Sequence, residues 1–154
     1  MRVERGYLYE DFVEGRVFVH HWGRTLTSTD NTLFVGLTMQ YNPLYSNHEY
    51  AVAMGYPTCP VHPLLVFNTV LGLSVEDLSE RGGPFLGAED LRFPRQVFPG
   101  DTISASSRVI ARRLSDSRPG WGIVTWATQG TNQRGEVVIE YRRSNLSRQR
   151  AKAA

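Results

Sequence analysis

The apolar positions of this chain change their period near residue 84, and the change divides it into two kinds of structure. After Gly82-Gly83-Pro84 the periodicity changes, and four runs read as strands: Phe85 to Phe98, Thr102 to Leu114, Trp121 to Asn132 and Glu136 to Arg143. Where such a run has a period of two, as in Thr102 to Val109, one face turns inward. Their separators, Pro99-Gly100-Asp101, Ser115 to Gly120 and Gln133-Arg134-Gly135, carry turn residues. Strands this close in sequence pair antiparallel. Before residue 84, only Arg16 to Leu26 reads as strand.

The rest of the first half predicts three helices. Thr27 or Ser28 can cap the first, with Asp30 meeting its positive end and Leu33, Phe34, Leu37 and Thr38 as the expected buried stripe. Asn42-Pro43 stops it. Asn47 caps a second, short helix over His48 to Met54, and Gly55 ends it. Pro63 opens the third, where a missing N–H costs nothing. That helix, Leu64 to Leu73 (LLVFNTVLGL), is apolar nearly all round, which predicts burial on most sides, with Leu64, Leu65, Phe67, Val70 and Leu71 in the core. An antiparallel sheet curled around one apolar helix gives an α+β domain.

Bulk properties narrow the function. The 154 residues suffice for one domain, expected over 1–146, with 147–154 as a basic, frayed tail. Net charge is +2 and the cations are dispersed outside that tail, so no nucleic-acid partner is expected. One cysteine, Cys59, excludes an internal disulfide and suits a reducing compartment. Met1 to Arg5 lacks the apolar core of a signal peptide, and no run is long enough to cross a bilayer, so a cytoplasmic protein without a membrane partner is expected. The four histidines and Cys59 show no metal-ligand spacing, and no metal or cofactor is expected. His20 and His21 are neighbours in a strand, so only one faces inward.

Three segments carry a resemblance. Thr38-Met39-Gln40-Tyr41-Asn42-Pro43-Leu44-Tyr45 resembles the Gly-Asp-x-Asn-Pro-Leu-His element of the MaoC-like (R)-specific enoyl-CoA hydratases and dehydratases. Pro60-Val61-His62-Pro63-Leu64-Leu65 resembles the Ile-x-His-Gly-Met element that opens their central helix. Leu91 to Thr102 is similar to their Arg-Phe-x-x-Pro-Val-x-Pro-Gly-Asp strand and turn. The resemblance implies a hot-dog fold, reversible hydration of an enoyl thioester or dehydration of its 3-hydroxyacyl product, and coenzyme A or an acyl carrier as part of the substrate only. It also implies homodimers, or higher oligomers of dimers, with the site at the subunit boundary.

The same resemblance places the catalytic Asp at Gln40, the catalytic His at Tyr45 and the oxyanion Gly at Pro63. Gln40 can orient water but cannot take its proton. Tyr45 is a donor rather than a base near neutral pH. Pro63 has no N–H, so an oxyanion would need the Leu64 or Val66 N–H. His62 and, more remotely, His48 are further acid–base candidates. Asn42 is a turn-shaping or substrate-contacting residue, and Arg92 and Arg95 are candidates for coenzyme phosphates. Two functions remain open: a hydro-lyase using Gln40, Tyr45 and His62, or a hot-dog protein that binds an acyl thioester or a partner subunit without turnover. A thioesterase is a third option, by fold analogy alone.

Overall fold

A computed structural model of the chain describes residues 6–151. Strands β1 (Val17–Val19) and β2 (Arg24–Thr25) lead into helix α1 (Ser28–Leu37), the short helix α2 (His48–Ala53), the central helix α3 (Pro63–Leu73) and one turn of helix, α4 (Val75–Leu78). Strands β3 (Phe85–Arg92), β4 (Thr102–Leu114), β5 (Trp121–Thr131) and β6 (Val137–Arg148) follow. The sheet runs β1-β4-β5-β6-β3, every pair antiparallel, with β2 paired to the start of β4. The expected strand Arg16 to Leu26 is thus split, and the expected strand Phe85 to Phe98 ends at Arg92.

Alternation does what the sequence demands. On β4, Ile103, Ala105, Ser107 and Val109 point inward; on β5, Val124, Trp126, Thr128 and Gly130 do. The inner face carries two apolar clusters. One gathers Leu26, Val66, Val70, Ile103 and Ile139 under α3, and the other gathers Phe12, Phe18, Leu78, Val109 and Trp126. Polar groups occupy the rung that separates them along β4. The Ser107 and Thr128 hydroxyls are 2.8 Å apart, and His20 bridges Ser107 at 2.9 Å to Asp77 at 2.6 Å. Burial holds the His20 pKa below its usual value, despite the opposing hydrogen bond and charge of Asp77. His20 is the inward member of its pair, while His21 is exposed.

Three expectations are corrected. In α1 the buried residues are Asn31 and Val35, one turn apart, while Leu33, Leu37 and Thr38 face solvent and Phe34 is half-buried. The helix turns its polar Asn31 inward because its amide meets three backbone partners there. In α3 only Val66 and Val70 are fully covered; Leu65, Phe67 and Leu73 pack partly and Leu64 is 42% exposed. The sheet covers one side of this helix, so an all-round apolar sequence is not buried all round. The C-terminal segment is not frayed at 147: β6 continues to Arg148, the Gln149 N–H donates to the Gly120 carbonyl at 2.9 Å, and Arg150 pairs with Asp11 at 3.0 Å. Acids in the N-terminal turn Tyr9–Asp11 supply the anchor that a linear reading of the basic residues lacks. Asp30 meets the positive end of α1 as expected: it closes a capping box with Thr27 and pairs with Arg24 at 2.8 Å. Met1 to Arg5 and 152–154 lie outside the described residues. Among the described residues no helix is long and apolar enough to cross a membrane.

Candidate functional site

The site forms where the start of α3 meets the loop after β3. Pro63 occupies the first helical position and His62 caps it: the Leu64 N–H donates to His62 Nδ1 at 3.2 Å. That bond places the proton of the neutral imidazole on Nε2. Burial lowers the His62 pKa, which favours the neutral ring. The ring lies between Phe34 (centroids 5.3 Å apart) and Tyr45 (4.6 Å, edge-on). His62 therefore offers a donor at Nε2 and no basic nitrogen while the cap holds.

Asn31 is the post that brings these elements together. Its side-chain Nδ2 donates to the carbonyls of Tyr45 (3.0 Å) and Pro60 (3.2 Å), and its Oδ1 accepts the His62 N–H at 2.8 Å. One buried amide thus joins α1, the Tyr45 turn and the entry to α3. Burying an amide demands this many partners. Nothing in the resembling motifs marks Asn31; the legible signal is a polar residue one turn before Val35 on the same helical face.

The Tyr45 turn is built by Asn42, whose Oδ1 accepts the Leu44 N–H at 3.1 Å ahead of the short 3-10 turn Pro43–Tyr45. Asn42 shapes the backbone and does not line the cleft. Burial, then the neighbouring Tyr56, pushes the Tyr45 phenol pKa up, so it stays protonated and acts as a donor.

A cleft of about 200 Å³ opens at this junction. Tyr45, Pro63, Arg95 and Gln96 face it from a cradle that includes Val61, Val66, Val97 and Val138. Gln96 was missed by motif reading because the resembling motif has Pro at its slot. Of the expected site residues, Tyr45, Pro63 and Arg95 meet here. Gln40, His62, Asn42, Leu64 and Arg92 are not on the cleft wall. The expectation of a free N–H at Leu64 or Val66 is overturned: the first is taken by the His62 ring and the second donates to the His62 carbonyl at 3.2 Å. Arg92 ends β3 and lies in a different groove of about 400 Å³, with Arg108, Arg142 and Glu140. His48 sits on the exposed face of α2, 3.5 Å from the Thr58 hydroxyl. The loop bearing Arg95 is tied down on both sides. The Val61 N–H donates to the Val97 carbonyl at 2.8 Å, and Asp101 closes the Pro-Gly-Asp turn by accepting the Phe98 N–H at 3.0 Å. Among the described residues no group of three or more acids, histidines or cysteines could hold a metal ion.

The polar groups on the cleft wall are thus a protonated phenol, a primary amide and a guanidinium, with no carboxylate and no imidazole. This arrangement binds and polarises an electron-rich or anionic group; it does not abstract a proton.

Comparison with known proteins agrees with this architecture. The family model for mesaconyl-CoA hydratase matches residues 2–154. A mesaconyl-CoA hydratase of Haloarcula hispanica is 39% identical over 152 residues, which is 98% of this chain and 42% of that relative. The chain therefore spans about two-fifths of the length of that curated relative. The crystal structure of a MaoC domain protein dehydratase from Chloroflexus aurantiacus superposes with a TM-score of 0.89 at 36% identity, covering 97% of this chain and 42% of that one. A Mycobacterium tuberculosis protein with a double hot-dog fold superposes at 0.84 with 21% identity, over 97% of this chain and 46% of its own. A match along nearly the whole chain, on a sheet wrapped over one central helix, makes this chain a member of the mesaconyl-CoA hydratase family, with the hot-dog fold of the MaoC-like dehydratases.

Proposed function

We propose that this chain is part of a hydratase/dehydratase acting on a short enoyl or 3-hydroxyacyl thioester, and that its cleft at the start of α3 holds the acyl group. The observation that carries the reading is the small apolar cleft edged by donors at the capped entrance of the central helix. Hydration adds the water oxygen to C3 and a proton to C2, and dehydration reverses both. A donor on the thioester carbonyl favours either direction by stabilising the enolate-like transition state. The Tyr45 hydroxyl is this chain's candidate for that role. Coenzyme A enters as part of the substrate.

The water must also lose a proton, and no group on this cleft wall takes one. The base is assigned to a second hot-dog subunit across the cleft. Three features support an oligomer. Leu64 is 42% exposed on α3; Leu37, Met39 and Tyr41 are 82%, 70% and 85% exposed beside the site; and β1 and β3 leave open sheet edges. Natural proteins cover such edges and patches. A lone free cysteine, Cys59, suits a reducing cytoplasm. The same lack of a base favours one other reading: binding of an acyl thioester without turnover.

An assay against enoyl- and 3-hydroxyacyl-CoA esters, followed by loss or gain of the conjugated thioester absorbance, tests this. Hydration of a short enoyl ester, with a dimer or larger assembly in sedimentation, is the expected result. Binding of the same esters with no turnover of any would replace the hydratase reading with the binding one.

A further inference from the structure

We propose that the outer face of the sheet carries a second binding site, and that its occupant is an acidic amino acid held by Arg92, Arg108 and Glu140. The site is independent of the acyl-thioester reading, because it lies on the side of the sheet away from α3.

Four observations carry it. First, a groove of about 400 Å³ opens on that outer face, a volume in the range of small-molecule sites. It shares no lining residue with the cleft at the start of α3. Second, its walls follow the strand register. One rung across β4, β5, β6 and β3 carries Ser106, Gln129, Glu140 and Arg92, and the next carries Arg108, Ala127 and Arg142. Three strand spacings of about 4.8 Å put Arg108 and Arg92 on opposite walls, roughly 14 Å apart across the strands, where two long side chains reach one small ligand. Third, the charges divide into engaged and unengaged groups. Arg142 is taken by Asp90 at 2.5 Å and by Glu89 at 3.5 Å. The side chains of Arg92, Arg108 and Glu140 make no hydrogen bond or ion pair among the described residues. Arg92 stands opposite Glu140 in the register, where unlike charges ordinarily pair. β3 bulges between Glu89 and Arg92, with Asp90 at φ +52°, and a bulge re-aims the side chains beside it. A non-glycine residue held at such a φ costs free energy, and strain of this kind clusters at ligand sites. Fourth, no aromatic ring turns into the groove. The Tyr141 ring packs on Phe67 beneath α3, centroids 5.0 Å apart. A flat base would have nothing to stack on, whereas an aliphatic ligand needs only polar partners.

Two unengaged guanidiniums and one unengaged carboxylate call for a ligand with two anionic groups and one ammonium. An acidic amino acid has that set. Each guanidinium donates to one carboxylate, and Glu140 accepts from the ammonium.

Titration of the isotope-labelled full chain with L-glutamate, followed by amide chemical shifts, tests this with no thioester present. Saturable shifts should gather at Ser106, Ala127, Gln129 and Glu140. Glutarate lacks the ammonium, γ-aminobutyrate lacks the α-carboxylate and L-glutamine lacks the distal charge. Each should bind about tenfold more weakly, or worse, the effect of one hydrogen-bonded charge. Arg92, Arg108 and Glu140 are exposed, so their variants should keep the wild-type spectrum outside the groove. Arg92→Gln and Arg108→Gln should each weaken L-glutamate about tenfold, and Glu140→Gln should bring L-glutamate and glutarate within about twofold of each other. Absence of saturable shifts in the groove, equal affinity for all four compounds, or unchanged L-glutamate affinity in the two arginine variants overturns the inference. Each of these results leaves the acyl-thioester reading standing, since that reading is tested by ester turnover at the other face.

Discussion

The contact between α3 and the sheet can be tested at one glycine. Gly130 sits on the inner face of β5, opposite Ala105 on β4 and Ile139 on β6. A methyl built there would come to 2.6 Å from Val70 Cγ2 and 2.7 Å from Ile139 Cγ2. Both neighbours are fully buried, so neither has room to retreat. Glycine in a strand otherwise costs about 0.5–1 kcal/mol relative to alanine, so an open site would gain from Gly130→Ala. Overpacking of a tight core costs roughly 1–3 kcal/mol, which outweighs that gain. The net expectation is a loss of about 1–2 kcal/mol, or a melting temperature lower by about 2–8 °C for a chain of this size. Val70→Ala removes one clashing methyl. Alone it should cost about 2 kcal/mol, from two lost methyl groups and a small cavity. In the double variant the two losses should fail to add by about 1 kcal/mol or more. Chemical denaturation at fixed protein concentration measures all four corners. A neutral or stabilising Gly130→Ala, or strict additivity with Val70→Ala, would show that α3 does not rest on Gly130.

Three further outcomes follow from the site and its turns. Tyr45→Phe keeps the ring against His62 and removes one hydroxyl; with a hydratable ester it should lower turnover by at least tens-fold and leave the melting temperature nearly unchanged, as loss of one oxyanion donor costs on the order of a hundred- to a thousandfold. For Asp101, burial opposes ionisation but is outweighed by bonds from the Phe98 N–H, Gln133 and Arg134, so its pKa is lowered. Its stabilisation is present above the ordinary carboxylate pKa of about 4 and is lost as pH falls through the lower folded value; Asp101→Asn should remove that acid-side slope and cost about 1–2 kcal/mol at neutral pH, read by denaturation at several pH values. Burial lowers the His62 pKa, so the unfolded chain takes up a proton first as pH drops below about 6.5, and stability should fall there. His62→Asn, which can still cap α3, should flatten that part of the pH profile, and a nuclear magnetic resonance titration of the wild-type ring should place its pKa below the ordinary value.

The sequence by itself settled whatever depends on near neighbours. The change of period after Pro84 marked the four long strands, Asn47 and Pro63 marked helix starts, and Gly100, at φ +100°, marked the turn after Pro99. The resemblance of the Asn42-Pro43 and His62-Pro63 segments to the family's motifs implied that Tyr45 and the start of α3 share one site. Tertiary structure decided what depends on partners distant in sequence. Whether Leu64 is covered, and which face of α1 turns inward, depends on where the sheet stops and on the carbonyls of Tyr45 and Pro60 that wait for Asn31. Arg92 and Arg95 look equivalent along the chain, yet the end of β3 sends one to the outer groove and the other to the cleft. The basic tail is strand through Arg148 because acids some 140 residues earlier in the chain receive it, Arg150 N–H meeting Glu10 at 3.0 Å. Local chemistry fixes backbone conformation, since caps, prolines and glycines act within a few residues. Burial and charge pairing belong to surfaces that exist only once the sheet has closed over the helix.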